Sequence, residues 1–116
     1  MNNLVLAYLG DAVYELYVRN YLINKGLANV KDLQEASLNY VSATSQRRIL
    51  ESLVNDNVLS EDEITVINRG RNASSHRSKT TDVITYHKAT GFECLIGYLY
   101  LNNKVRLEEI MKGILI

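Results

Sequence analysis

Leu6-Ala7-Tyr8-Leu9-Gly10-Asp11-Ala12-Val13-Tyr14-Glu15-Leu16 is apolar on almost every side of a helix, yet it carries two acids. Asp11 and Glu15 stand four apart, so they project from one helix face together with Tyr8 and Val18. A second stretch repeats the anomaly. Thr90-Gly91-Phe92-Glu93-Cys94-Leu95-Ile96-Gly97-Tyr98-Leu99-Tyr100-Leu101 holds one acid, Glu93, on a face with Tyr86, Ala89, Thr90, Gly97 and Tyr100. A helix apolar all round is normally buried, and an ionised carboxylate there is costly unless it is paired or binds a cation. Each glycine lowers helix propensity by roughly 1 kcal/mol relative to alanine. Gly10, Ala12, Gly91 and Gly97 are therefore read as places where two helices approach closely and bring their acids together. Facing carboxylates repel unless a proton or a metal lies between them. Magnesium suits such a pair, because it takes oxygen ligands and often only one or two carboxylates. The residues alone leave other readings open: Glu15 can pair with Arg19 at i+4, and Asp11 and Glu93 can each cap a helix or pair with a buried arginine.

Outward from these two stretches the spacing is helical nearly throughout, and there is no proline. Period-two alternation is not sustained in any segment, so no strand is expected. The first helix should run from Leu4 to Ile23 and stop before Asn24-Lys25-Gly26, with Gly26 as a left-handed terminator. Asn29 should cap a helix over Val30–Tyr40, and Ser42 or Thr44 the next, to about Asn55. Ser60-Glu61-Asp62-Glu63 reads as a capping box for a helix through Ile64 and Ile67 toward Asn68. Arg69–Thr81 looks irregular, with polar and basic residues replacing periodic apolar ones. Thr81 or Asp82 should restart the helix that carries Glu93. After Asn102-Asn103, a last amphipathic helix should turn Val105, Leu107, Ile110, Met111 and Ile114 inward. The expectation is an all-α fold, one domain of about six helices.

The 116 residues and an apolar fraction of 47% suffice for a core and exclude disorder. No apolar run approaches the ~20 residues that span a bilayer, and Met1-Asn2-Asn3-Leu4 lacks the features of a secretory signal. The single cysteine, Cys94, suits a reducing interior; it is read as a core residue and not a nucleophile, since no histidine lies near it. A cytoplasmic protein with no membrane association is expected. Thirteen basic against thirteen acidic residues leave no net charge, so any nucleic acid must be held by a local cluster or by a surface shared between two chains.

The two acid-bearing stretches resemble the ribonuclease III family. Leu9 to Leu16 looks like its signature helix and Phe92 to Leu101 like its second acidic helix. Tyr40-Val41-Ser42-Ala43, ahead of Gln46-Arg47-Arg48-Ile49-Leu50, also fits a family helix, and the likeness covers nearly the whole chain in order. Arg69-Gly70-Arg71-Asn72-Ala73, followed by Thr81-Asp82-Val83 and Tyr86, resembles the Mini branch, which has a catalytic domain and no double-stranded-RNA-binding domain. Leu4, Ala7 and Thr90 stand where fuller members carry further acids, a thinning that the Mini branch shares.

The resemblance implies a homodimeric, magnesium-dependent endoribonuclease, with manganese as a substitute, that hydrolyses double-stranded RNA to 5′-phosphate and 3′-hydroxyl ends. It implies Asp11 and Glu93 as catalytic metal ligands and Glu15 as a third catalytic acid that orients a water. Precursors of 23S ribosomal RNA, the large-subunit RNA, are the implied substrate. For RNA contacts the candidates are Arg69, Arg71, Asn72, His76, Arg77 and Lys79, whose donors suit phosphates and 2′-hydroxyls. Arg71 and Asn72 can instead cap a helix end, Arg47 and Arg48 are weaker candidates, and His87 is expected at the surface or facing RNA. The competing reading is a non-catalytic dimer of the same family that binds RNA on ribosomal particles. Such silent relatives usually lose the acids that this chain keeps.

Overall fold

The computed structural model describes residues 1–74 and 82–116. Six helices follow in order among the described residues: α1 (Asn3–Asn24), α2 (Val30–Val41), α3 (Ala43–Asn55), α4 (Glu61–Ala73), α5 (Val83–Asn102) and α6 (Lys104–Ile114). No strand occurs among them, as the missing alternation predicts. None of the helices is long and apolar enough to cross a membrane.

Each helix starts where a polar side chain can take the orphan amides of a first turn. Asn2 accepts from Leu4 N at 2.8 Å and Asn29 from Lys31 N at 2.8 Å. Ser42, not Thr44, caps α3 by accepting from Ser45 N. Ser60 and Glu63 form the reciprocal capping box of α4. Asp82 caps α5 through Thr85 N, and Asn103 caps α6 through Arg106 N. Beyond α1, Gly26 takes a φ of +96°, the left-handed stop anticipated there.

α5 is the spine. It packs against α1, α3, α4 and α6, and Phe92, Cys94, Leu95 and Ile96 along it are fully buried. Tyr14 of α1 meets Phe92 edge-on, with centroids 5.0 Å apart, and its hydroxyl donates to the Tyr40 carbonyl oxygen at 2.9 Å, tying α1 to the end of α2. Leu107, Ile110 and Met111 of α6 close the core, with Ile114 half-buried. Val105 is the exception to the expected inward face: it is 73% exposed. It stands two residues from Leu107, more than half a turn round the helix at about 3.6 residues per turn, and so falls opposite the Leu107, Ile110 and Met111 face.

The second correction concerns α4. Arg69 to Asn72 are helical, not irregular. Their polar composition describes the outer side of the helix, while Gly70 is buried against α5. A Cβ there would sit 2.6 Å from the Cys94 Cβ and 3.2 Å from the Gly91 Cα. Tertiary packing therefore carries the helix about one turn past its apolar pattern.

Candidate active site

Two glycines decide how close α1 and α5 come. A Cβ on Gly10 would overlap the Glu93 carbonyl oxygen, and one on Gly97 would overlap the Leu6 carbonyl oxygen. The two helices therefore cross backbone on backbone, a contact only glycine permits on both sides. Gly91 belongs to a different crossing, against Ile67 and Arg71 of α4. Ala12 is exposed and lines neither.

The glycine crossing sets two carboxylates against each other. Asp11 follows Gly10 directly, and Glu93 is the residue whose carbonyl Gly10 touches. Asp11 lies on the exposed side, while Glu93 is half-buried. Burial pushes the Glu93 carboxyl up to about 8; the charge of Asp11 and a side-chain hydrogen bond with it push the same way, and Glu15 adds a further repulsion. Only the Gln46 amide acts in the opposite sense. An acid in this setting holds its proton near neutral pH or shares a cation with its neighbour.

Gln46 is the site residue that the sequence did not single out. It is 2% exposed, on α3, with Nε2 donating to Glu93 Oε2 at 3.5 Å and to the Val41 carbonyl oxygen at 3.4 Å. Its Oε1 is buried with no hydrogen-bond partner among the described residues. A signal was available, because Gln46 stands three, four and seven residues before Ile49, Leu50 and Leu53, so it is the polar member of an otherwise apolar face.

The remaining candidate acid is shared between roles. Glu15 accepts from Arg19 at 3.0 Å, the i+4 ion pair anticipated as its plainer reading, while its charge still reaches Glu93. Thr90, where a fuller site carries an acid, is buried and donates to the Tyr86 carbonyl oxygen at 3.0 Å. No group of three or more histidines, cysteines, aspartates or glutamates is placed to hold a metal among the described residues. The donor set nonetheless fits magnesium. All of it is oxygen, two carboxylates face one another, and the amide that donates to Glu93 carries a buried Oε1 with no partner among the described residues. An ion that binds through few carboxylates and retains its waters suits so small a set.

Of the basic candidates, His76, Arg77 and Lys79 lie outside the described residues. Arg69 and Arg71 share α4 but part company: Arg69 lines a cavity of about 380 Å³ with Leu6, Val66 and Tyr98. Arg71 lines a larger one of about 510 Å³ between α3, α4 and α5. Arg71 also borders a shallow recess with Asn72, Ile84 and His87. The Arg71 carbonyl oxygen accepts from the backbone N–H of Ser74, which is the C-cap of α4, and lies 3.0 Å from His87 Nδ1. His87 is thus half-buried against α4 and not free at the surface. Arg47 is held by Thr85 and Glu51, and Arg48 by the Asn39 carbonyl oxygen. Cys94 is fully buried beside Gly70, with its thiol raised by burial, which makes it packing and not a nucleophile.

Comparison with known proteins places the chain in a family. Residues 4–104 match the Ribonuclease III domain family. A Mini-ribonuclease 3 from Enterococcus faecalis is 45% identical over 113 residues, which cover 96% of this chain and 86% of that protein. One from Brevibacillus brevis is 50% identical over 113 residues, covering 96% and 83% respectively. The crystal structure of a protein from Fusobacterium nucleatum superposes with a TM-score of 0.85 at 30% identity, covering 98% of this chain and 91% of that one. With an acid from each of two helices meeting across a glycine crossing and this likeness along almost its full length, the chain belongs to the ribonuclease III family of endoribonucleases.

Proposed function

We propose that this chain is a magnesium-dependent endoribonuclease that cleaves double-stranded RNA, with Asp11 and Glu93 as its metal-holding acids and Glu15 orienting a water. The observation that carries the reading is the Asp11–Glu93 pair, held across the Gly10–Gly97 crossing with a carboxyl pushed up to about 8. When bound, magnesium supplies a water activated near neutral pH and neutralises charge that builds on the phosphate. The chain's own part is placement. Gly10 and Gly97 bring the acids together, Gln46 donates to one Glu93 oxygen, and the buried side of α5 withdraws Glu93 from bulk water while Asp11 stays open to it. The products are 5′-phosphate and 3′-hydroxyl ends.

A single such site cuts one strand, and cutting both strands of a duplex asks for two. Val5, Tyr8, Ala12 and Leu16 lie exposed along one side of α1, with Tyr8 83% and Leu16 60% exposed. That stripe, one turn from Asp11, supports a homodimer joined through α1 with both sites near the interface. The RNA is held in this reading by Arg69, Arg71 and Asn72 with His76, Arg77 and Lys79, and the substrate is a precursor of 23S ribosomal RNA in the cytoplasm.

Purified protein is incubated with a long RNA duplex in magnesium, in manganese and in EDTA. Cleavage is expected with either cation and none with EDTA, and Asp11→Asn is expected to abolish it while sedimentation still reports a dimer. Intact duplex under every condition, with the duplex bound, would establish the non-catalytic alternative. Full activity in Asp11→Asn would remove the site from this crossing.

A further inference from the structure

We infer that Gln46 is the positioning residue of this site: its Nε2 fixes one oxygen of Glu93, and its Oε1 accepts from a water carried on the bound cation. The inference rests on the metal-site reading above and adds a third helix to it.

Four observations carry it. Gln46 is 2% exposed, so its amide is removed from bulk water. Nε2 spends its donors on Glu93 Oε2 and on the Val41 carbonyl oxygen, which fixes the plane of the amide against α5 and the end of α2. Oε1 is the one buried side-chain polar atom without a hydrogen-bond partner among the described residues. A buried amide oxygen left unpaired destabilises a fold, and its retention asks for a partner that arrives with function. Finally, Gln46 occupies a core position of α3, in register with Ile49, Leu50 and Leu53, where an apolar side chain would serve packing better. Outer partners of this kind orient a ligating carboxylate and hold the waters of the ion. A magnesium ion held by only two carboxylates keeps several waters that need acceptors, and an amide oxygen serves as an acceptor without adding charge.

The test uses the full chain and manganese alone as the probe, titrated calorimetrically in the absence of RNA, beside thermal melting in EDTA. Gln46→Met keeps length and volume and removes both polar atoms. The expected result is manganese affinity weakened about 10–100-fold, with the melting temperature in EDTA unchanged or higher. The magnesium needed for half-maximal cleavage should rise in parallel, with a smaller change in rate at saturating magnesium. Gln46→Glu, which restores an acceptor as a third carboxylate, is expected to recover manganese affinity to at least the parent value while melting lower in EDTA. Unchanged manganese affinity in Gln46→Met overturns the inference. So does a large fall in metal-free melting temperature, which would make Gln46 a structural residue. Should Gln46→Met fail to fold, weaker manganese binding by Gln46→Glu overturns the inference and restored or tighter binding supports it. A parent protein that binds no manganese, or binds it equally well as Asp11→Asn, overturns the metal site itself, which is a separate outcome.

Discussion

Among the described residues, buried Glu63 and half-buried Glu93 are treated in opposite ways. Glu63, 6% exposed, closes the capping box of α4 and receives Arg106 through two contacts, Nε to Oε2 at 2.8 Å and Nη2 to Oε1 at 2.9 Å. The Ser60 amide adds a third donor at 2.9 Å. The Arg106 guanidinium holds the Glu63 carboxyl below the usual carboxylate range. Glu93 has one long contact from Gln46 and faces Asp11, and it is pushed up to about 8. The difference lies in what each acid is given as a partner. A buried acid with a full set of donors fastens two helices, here α4 and α6, whereas a buried acid set against another acid is balanced only by a proton or by a positive charge from outside the chain.

The largest expected effect comes from neutralising each acid in turn. Glu93→Gln should reduce duplex cleavage at least about a thousandfold, equivalent to roughly 4 kcal/mol in the barrier, while raising the metal-free melting temperature because no carboxyl then has to be buried beside Asp11 and take up a proton. Glu63→Gln should do the reverse. It should lower stability by about 3 kcal/mol as Arg106 loses its charged partner, yet keep cleavage near the parent rate at temperatures where the protein stays folded. Cleavage assays beside thermal melts measure both, and equal losses of activity in the two variants would erase the distinction.

A smaller effect, confined to one of the two regions, is expected from Gly10→Ala. The added methyl would run into the Glu93 backbone, so α1 and α5 must part, at a cost of about 3 kcal/mol or less. Cleavage and metal affinity should fall even in the folded fraction. Gly113→Ala in α6 meets nothing within 4 Å and serves as the neutral control. Metal affinity equal to the parent's in Gly10→Ala would mean that the crossing does not set the spacing of the acids.

The smallest effect is on the pH dependence of stability without metal, where the two acids should produce opposite limbs. Glu93 has a folded value near 8 against an ordinary 4.5, so its contribution is fully present below about 4.5 and is lost as pH rises to about 8. Glu63 is lowered, so its contribution is present above 4.5 and lost as pH falls through its lower folded value. Melting in EDTA should therefore weaken at both ends. Glu93→Gln should flatten the alkaline side and Arg106→Ala the acid side. An alkaline decline that survives in Glu93→Gln would assign it to another group.

Much of this contrast is local and therefore readable along the chain. The caps at Asn29, Ser42, Ser60, Asp82 and Asn103 act within two or three residues of themselves, and all five begin helices. Gly10 and Gly97 announced a close crossing because glycine inside an apolar helix costs stability without such a reason. What escaped is long-range. The Arg106–Glu63 pair joins residues 43 positions apart and the Gln46–Glu93 contact residues 47 apart, and neither spacing has a periodic signature. The end of α4 departs from its composition because Arg69, Arg71 and Asn72 describe only its outer side, while the reason for the helix, Gly70 packed against Cys94, lies across at α5. Glu15 shows the limit in the other direction: the spacing offers an ion pair and the resemblance a catalytic acid, and its geometry contains the Arg19 pair together with a charge that still reaches Glu93.

The Gly10–Gly97 contact has a bearing on tolerance to sequence change. Because the approach of the two helices is gauged by main-chain atoms touching main-chain atoms, the only rotamers left to set the gap between the acids are those of Asp11 and Glu93 themselves. Trimming of the core elsewhere, at Ile110 or Leu53 for instance, would loosen the protein without resetting that gauge. The spacing of the two helices is in this sense preorganised and insulated, and the hydrophobic interior around it is free to drift so long as two positions keep no side chain at all.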